Sequence, residues 1–303
     1  MATARLPLEH SAAPAAGRRL RPRRGAPIRL WSGIVHLLLI ALLLAFCLAP
    51  FVWLLETSLK TPDDLYSIPP KLLPVPVDVR NYVTIWQGRP FLQNVFNSAA
   101  VASAATAVSL LIGALCAYAL ARLRFHGKSL ILGTVLAVSM FPGIAIVSPL
   151  YLFFSRLELI NSKTALVLPY VTFTLPLCVW LLTAFFRDLP PDLEEAALVD
   201  GATPLGAFRN VIVPLAAPGV FTAAILIFIF AWNEFLFART FMNSAESYTV
   251  PPAISMFEGT GTFVIPWGQI TAASAVVTVP LIVLVLLFQR RIISGLTAGA
   301  IKG

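Results

Sequence analysis

The chain contains 303 residues, of which 58% are hydrophobic and 12% are charged, and its mean hydropathy is +0.84. Soluble globular domains are about 25% charged. The composition therefore excludes a soluble domain and predicts an integral membrane protein that satisfies its backbone hydrogen bonds within the lipid. The formal net charge of +8 lies mostly in short segments beside apolar runs, which predicts a role in membrane orientation and no binding of nucleic acid.

Cysteine, histidine and glycine-lysine patterns give no sign of a catalytic or metal site. The three cysteines lie in separate apolar runs and the three histidines are scattered, whereas metal and disulfide sites need several such residues at close spacing. The triplet at 127–129, Gly-Lys-Ser, is similar to the end of a nucleotide-binding P-loop, but Arg122 stands where that motif needs its first glycine. We expect no cofactor, no metal and no enzymatic activity in this chain.

The first 29 residues form a basic arm. It holds five arginines between positions 18 and 24 and is rich in Ala, Pro and Gly as a whole, a composition that predicts a disordered cytoplasmic segment near anionic lipid. The apolar run that follows, over 30–55, is longer than the apolar core of about 7–15 residues in a signal peptide. We therefore predict a retained first membrane helix.

Six apolar stretches are long enough to cross a bilayer core, which takes about 20 helical residues. The predicted spans are 30–55, 98–121, 130–154, 164–186, 219–238 and 269–289. Residues 244–266 are rejected as a seventh span because they contain two glutamates, prolines and glycines. With both termini in the cytoplasm, 15 of the 22 Lys and Arg residues fall inside and seven outside, as the positive-inside rule favours. This orientation places the segment 188–218 and the tail 290–303 in the cytoplasm.

The segment 188–218 between the fourth and fifth spans has its own helical signals. Five of the 14 acidic residues lie here: Asp188, Asp192, Glu194, Glu195 and Asp200. Pro190 and Pro191 suit a helix start, and Gly201 suits a left-handed helix end. Thr203 is predicted to cap a second helix, with Pro204 at its first position.

That second helix is predicted to carry an apolar stripe of Leu205, Phe208 and Ile212 and to stop at Pro214. On the first helix, Ala196 and Ala197 share one face with Leu193 and Asp200, and small side chains there let a partner approach closely. The alternative is an amphipathic helix on the membrane surface, which would be more basic and more apolar. We predict a docking surface for a protein outside the bilayer.

Several motifs resemble those of one protein family. They are Glu195-Ala196-Ala197, Asp200-Gly201-Ala202, Val211-Ile212-Val213-Pro214, the segments 117–122, 140–142, 149–151 and 232–235, and the C-terminal 295–303. Together they resemble the permease subunits of carbohydrate ABC importers, of the type of the second maltose-permease subunit. Val213 departs conservatively from the leucine that is common in that family. The resemblance covers about residues 30–303.

The resemblance implies an all-α integral membrane fold with six transmembrane helices, the type I ABC importer transmembrane domain, and a cytoplasmic EAA coupling loop. It implies that this loop docks on an ATPase subunit through Glu194, Glu195, Ala196, Ala197, Asp200, Gly201, Ala202, Phe208 and Pro214. It also implies a tail contact with the ATPase through Thr297, Gly299, Lys302 and Gly303. The implied partners are a second permease subunit, two ATP-binding subunits that hold the ATP and Mg, and an extracytoplasmic sugar-binding protein.

Two further groups are candidate contact residues. Glu234 is the only Asp, Glu, Lys or Arg within the predicted spans, and such a residue in a membrane is a functional candidate. With Trp232 and Asn233 it is predicted either to line the transport pathway or to be satisfied locally at the interface. The aromatic residues Tyr248, Phe257, Phe263 and Trp267 are candidate contacts for the binding protein, or members of an aromatic belt.

The predicted function is that of a multi-pass subunit in a bacterial inner membrane, part of an ATP-driven importer for a sugar, with a disaccharide such as maltose or trehalose favoured. Three alternatives remain open at this point. They are an ABC permease for a non-sugar solute, an ion-coupled secondary transporter and a structural membrane anchor.

Overall fold

A computed structural model describes residues 26–257 and 265–298, with side chains over 33–257 and 265–289. All regular structure in these residues is helical. The helices are α1 (Ala26–Ser58), α2 (Pro62–Leu65), α3 (Arg80–Thr84), α4 (Phe91–Arg122), α5 (Lys128–Ser139), α6 (Gly143–Arg156), α7 (Thr164–Asp188), α8 (Asp192–Val199), α9 (Pro204–Ala207), a π-helical turn (Phe208–Ile212), α10 (Val213–Leu215), α11 (Ala217–Asn233), α12 (Leu236–Phe241), α13 (Val250–Ser255) and α14 (Trp267–Ala298).

Four to six membrane crossings are present among the described residues. Gly33–Ser58, Phe91–Arg122, Thr164–Asp188 and Trp267–Gln289 are each long and apolar enough to cross alone. Two bent pairs raise the number to six if each pair counts as one crossing. The pair α5 and α6 bends by 83°, and the pair Pro204–Leu215 and Ala217–Asn233 bends by 78°. The structure thus supports an all-helical membrane protein.

Three differences between the helix boundaries and the predicted spans change the path of the chain. α4 begins at Phe91, ahead of the predicted residue 98. The predicted third span breaks between α5 and α6, where Pro142 is extended at ψ 120° and proline disfavours helix continuation. The fifth predicted span ends at Asn233 because Glu234 is also extended, at ψ 126°. The rejected stretch 244–266 holds only the six-residue α13 in its described part.

The chain divides into two compact units, residues 1–51 and 52–303. In the first unit, the apolar side chains of α1 from Ile34 to Phe51 are exposed, as expected of a helix whose surroundings are lipid or other protein. The predicted basic arm 1–29 lies outside the described residues, apart from its last four, which begin α1.

The second unit is built around the paired helices α4 and α7. The small residues Ala102, Ala105, Gly113 and Ala117 are all buried on α4, and side chains of this size allow close helix packing. A hydroxyl pair, Ser109 with Thr174 at 2.8 Å, joins the helices between these residues. Two apolar clusters pack around α4 and α7. One includes residues of α12 and α13, and the other includes residues of the 188–218 segment.

Candidate coupling site

The turn after α8 has the geometry of a glycine-ended helix. α8 starts directly after Pro191 with three acidic residues in its first turn, where the helix dipole favours negative charge. Gly201 has a φ of +88° and donates its N–H to the Leu198 carbonyl at 3.1 Å, while the Ala202 N–H reaches the Ala197 carbonyl at 2.9 Å. These two bonds define the Schellman motif. The predicted left-handed conformation of Gly201 is therefore confirmed.

The second helix begins at a threonine cap and continues into a π-helical turn. Thr203 Oγ1 accepts the Gly206 N–H at 3.1 Å, and Pro204 occupies the first position, both as predicted. The helix passes Pro214 by a single residue and ends at Leu215, so the predicted stop is confirmed to within one residue. Proline lacks an N–H and clashes with the preceding turn. Here the π-helical turn Phe208–Ile212 comes directly before α10, and its wider loop of backbone accommodates the ring in the last turn of the helix.

The helix run ends at Leu215, where the chain bends by 78° into α11. Of the predicted apolar stripe, Phe208 and Ile212 are buried, but Leu205 is 64% exposed. The stripe is therefore shorter than predicted, because the helix start projects away from the core. The 188–218 segment is joined to α7 at one end and to α11 at the other, with no flexible linker at either.

Glu194 ties α8 to the end of α4. Its carboxylate accepts a hydrogen bond from the Tyr118 hydroxyl and lies 3.3 Å from Arg122 Nε. The Arg122 guanidinium also donates to the Leu189 carbonyl at 2.9 Å. Both charged side chains are nearly buried, at 10% and 13% exposed. α8 is thus held to two membrane helices, since Leu189 directly follows α7.

Sequence reasoning missed Tyr118 and Arg122 as site residues, although it placed both in a motif that closes the second span. The available signal was their i, i+4 spacing at a helix end, which puts them on one face. Tyr118 also packs on Phe208, with 4.8 Å between ring centroids, and Phe186 meets Phe208 edge-on at 6.0 Å. This aromatic stack secures the second helix of the segment as Glu194 secures the first.

The opposite surface of the segment is open. Five of the nine predicted docking residues are exposed: Glu195, Ala196, Asp200, Gly201 and Pro214. Ala197 and Ala202 are half-buried, and Glu194 and Phe208 face inward. Apolar side chains accompany them: Leu193, Leu198 and Leu205 are exposed, and Val199 is 87% exposed. An exposed helix that mixes carboxylates, alanines and isolated aliphatic groups is suited to a protein partner.

The sequence from residue 90 to 297 matches the family described as binding-protein-dependent transport system inner membrane component. The chain belongs to this family. Its members are transport permeases rather than enzymes, and they are components of bacterial inner membranes.

Several curated permeases are similar over almost the whole chain. The trehalose transport system permease protein SugB of Mycobacterium tuberculosis is 46% identical over 262 residues, 86% of this chain and 95% of that protein. The sulfoquinovosyl glycerol transport system permease protein SmoH of Agrobacterium fabrum is 44% identical over 263 residues, 87% and 92% of the two chains. The trehalose/maltose transport system permease protein MalG of Thermococcus litoralis is 42% identical over 272 residues, 89% and 97%.

A solved structure shares the fold of the permease. A bacterial ABC transporter involved in the import of the acidic polysaccharide alginate gives a TM-score of 0.72 at 20% identity, over 89% of this chain and 98% of that chain. A second structure, of the alginate transporter in complex with an alginate pentasaccharide-bound periplasmic protein, gives a TM-score of 0.64 at 15% identity, over 88% and 96%.

In the permease, Glu234 lies at the break between α11 and α12 and caps the start of α12. Its carboxylate accepts the N–H groups of Phe237 and Ala238 at 2.9 and 3.2 Å, and the hydroxyl of Tyr170 at 2.7 Å. Trp232 is buried against Phe228. These bonds support the alternative in which the Glu234 carboxylate is satisfied by neighbouring groups. Its role in lining the transport pathway stays a prediction. Asn233 remains the exposed member of the predicted group, with its amide on the Ile229 carbonyl.

Glu234→Ala is expected to lower the free energy of unfolding by about 2–4 kcal/mol. It removes a helix cap worth about 1 kcal/mol and leaves the fully buried Tyr170 hydroxyl without its acceptor, at a cost of about 1–3 kcal/mol. Thermal unfolding in detergent measures the loss. The control is Glu246→Ala, whose side chain is exposed. If the two variants were equally stable, Glu234 would not hold the break, and pathway lining would become the better account of it.

The candidate contacts for a binding protein are unevenly accessible. Tyr248 and Phe257 are buried in the core cluster, whereas Trp267 is about half exposed. Of the three candidates that the structure describes, only Trp267 is exposed enough to contact a partner, and that contact stays a prediction. Phe263, Gly299, Lys302 and Gly303 lie outside the described residues, and Thr297 is described only as backbone of α14.

Proposed function

We propose that this permease is one membrane subunit of an ATP-driven importer for a sugar, with a disaccharide such as trehalose or maltose as its cargo. The names of the relatives support the substrate class, since two of them carry trehalose or maltose and a third a sulfosugar glycoside. The observation that carries the coupling role is the rigid, exposed α8 surface. A segment of this chemistry, fixed to α4, α7 and α11, can transmit force from a soluble partner into the membrane helices.

The proposed partners are a second permease subunit, two ATPase subunits and an extracytoplasmic sugar-binding protein. ATP and Mg belong to the ATPase subunits. The 188–218 segment acts as the EAA coupling loop and docks through Glu195, Ala196, Ala197, Asp200 and Gly201, with Glu194 and Phe208 holding the loop to the membrane helices. The tail residues Thr297, Gly299, Lys302 and Gly303 reach the ATPase subunits.

The proposed cycle follows from these attachments. Closure of the ATPase subunits on ATP moves α8, and Glu194 passes that displacement to α4 while Leu189 and the 78° bend pass it to α7 and α11. The pathway between the two permease subunits then opens toward the docked binding protein. Both termini, α8 and the tail lie in the cytoplasm in this scheme, and Trp267 lies on the outer side.

Reconstitution of the complex into liposomes tests the proposal. Uptake of labelled trehalose or maltose should need ATP inside and the binding protein outside, and the ATPase rate should rise when the loaded binding protein is added. An ionophore that collapses ion gradients should leave uptake unchanged. Uptake that continued without ATP and stopped with the ionophore would identify an ion-coupled carrier. ATPase stimulation by other solutes but by no sugar would remove the sugar assignment.

A further inference from the structure

α4 is an uninterrupted helix of 32 residues, about 48 Å long at 1.5 Å per residue. Of the four helices that cross alone in the described part of the chain, it is the only one without an internal proline. The others contain Pro50 in α1, Pro169 and Pro176 in α7, and Pro280 in α14. Proline removes a backbone hydrogen bond and kinks a helix. α4 is therefore the long helix best suited to carry a displacement along its axis.

α4 is also fixed to α7 near the middle of its length. Besides the bond between the Ser109 and Thr174 hydroxyls, the Cys178 thiol donates to the Ser109 carbonyl at 3.4 Å. A Cβ added to Gly113 would lie only 2.6 Å from Cys178 Sγ, so the two helices approach closely there. α4 and α7 therefore form one packed pair, whose 188–218 end is tied to α8.

The other end of α4 holds the chain between α12 and α13. The Asn94 amide donates to the carbonyls of Ala245 and Tyr248 at 2.7 and 3.0 Å. The Asn97 amide donates to the carbonyls of Glu246 and Tyr248, also at 2.7 and 3.0 Å. Both asparagines are 3% exposed. Each amide thus uses its two N–H groups on backbone carbonyls, which fixes the path of that backbone.

Two further side chains hold the same turn, residues 243–248. The Ser98 hydroxyl accepts the Val250 N–H at 2.8 Å, where α13 begins. Asn161, in the loop before α7, accepts the Asn243 N–H at 2.5 Å. Three residues of the 243–248 turn are exposed, and its backbone is held from below by these polar side chains. The turn is therefore attached to the starts of both α4 and α7.

We propose that Asn94 and Asn97 are positioning residues that make the 243–248 turn follow α4. The Glu194–Arg122 pair brings the movement of α8 to the opposite end of α4, about 42 Å from Asn94 along the helix axis. The origin of that movement in ATP binding rests on the proposed function, whereas the ties at both ends come from the structure alone. Because coupling between two binding sites is reciprocal, a partner that displaces the turn also acts on α8.

A distance measurement on the intact complex in nanodiscs tests whether the turn stays on α4. Spin labels on unnatural amino acids replace Glu246 in the turn and Leu111 on α4, both of which are exposed. Leu111 is about 21 Å along the helix from Asn97. Double electron–electron resonance should give one narrow distance, the same without nucleotide and with ATP and vanadate. A distance that changed between the two states would show that the turn moves independently of α4 and would overturn the proposal.

Removing the asparagine ties should release the turn. Asn94→Leu with Asn97→Leu removes four hydrogen bonds at similar side-chain size, and Asn161→Gly removes another tie without strain, because Asn161 has a φ of +65°. Loss of one hydrogen bond shifts an equilibrium by about fivefold to tenfold. The triple variant should therefore broaden the distance. Each single asparagine variant on α4 leaves the Tyr248 carbonyl one donor, so the two effects should be more than additive.

The ATPase rate separates positioning from stability. The triple variant should keep its rate without the binding protein, lose most of the stimulation by the loaded binding protein, and use more ATP for each sugar imported. Asn81→Leu is the matched control. The Asn81 amide also donates to two carbonyls, of Ser58 at 2.9 Å and Lys60 at 3.4 Å, but it joins α3 to the end of α1. Its loss should lower the unfolding temperature and leave the stimulation unchanged.

Two further results would contradict the positioning role. One is a triple variant with the narrow wild-type distance. The other is a broadened distance with wild-type stimulation, which would make the asparagines structural only. If the triple variant did not assemble, Asn161→Gly and Asn94→Leu would be compared singly by the same two measurements. Failure of the proposed function is visible separately, since uptake without ATP would remove the importer assignment, while broadening without nucleotide would still show the tie.

Discussion

A Gly201→Asp variant should fold and insert normally yet bind its ATPase subunits poorly and lose most of its transport. The φ of +88° at Gly201 strains any other residue, at about 1–2 kcal/mol. A Cβ there would meet no atom within 4 Å, so the chain itself has room for the new side chain. The added carboxylate would instead project from the exposed α8 surface beside Asp200. A loss of about 1.4 kcal/mol in docking lowers the association constant for the ATPase subunits about tenfold.

Gly127 provides the matched control for that experiment. Its φ is +87°, and a Cβ there also meets nothing within 4 Å, so Gly127→Asp carries the same backbone strain outside the 188–218 segment. Sugar uptake and co-purification of the ATPase subunits are measured for both variants. The docking proposal requires Gly201→Asp to fall well below Gly127→Asp. Equal uptake, with equal assembly, would show that backbone strain explains the whole effect and that α8 does not dock.

The conformation of the 188–218 segment could be predicted because local rules decide it. A glycine after an amphipathic turn, and a threonine before a proline, each fix backbone geometry within a few residues. Gly201 and Thr203 follow those rules. Pro214 also lies within one residue of the helix end at Leu215, but no local pattern predicted the π-helical turn Phe208–Ile212 that precedes it.

Contacts between distant parts of the chain were less predictable. Glu194 was assigned to the docking surface with its neighbours, but its partners Tyr118 and Arg122 come from α4, and only the packing of α4 against the segment brings them together. Glu234 shows the same limit. Its hydropathy context predicted a residue within a span, while the break after Asn233 turned its carboxylate into a helix cap. Composition gives the spans, and tertiary packing decides where each charge is satisfied.

Arg122→Leu should destabilise the permease strongly, because it leaves the Glu194 carboxylate nearly buried without its cation. Breaking a buried ion pair from one side costs about 3–5 kcal/mol, and the bond from Arg122 to the Leu189 carbonyl is lost as well. Thermal unfolding of the complex measures the effect. Arg124→Leu is the control, since Arg124 is exposed two residues further along the chain and its loss should change the unfolding temperature little.

Glu194→Gln in the Arg122→Leu background separates stability from coupling. The amide oxygen can still accept the Tyr118 hydroxyl, and no unpaired charge remains, so most of the stability should return as a non-additive term in the double-mutant cycle. The tie between α8 and α4 is then weaker than an ion pair. If Glu194 transmits the motion of α8, the stable double variant should hydrolyse more ATP for each sugar imported than the wild type does. A wild-type ratio would confine the Glu194–Arg122 pair to folding and leave α7 and α11 as the route by which force enters the membrane.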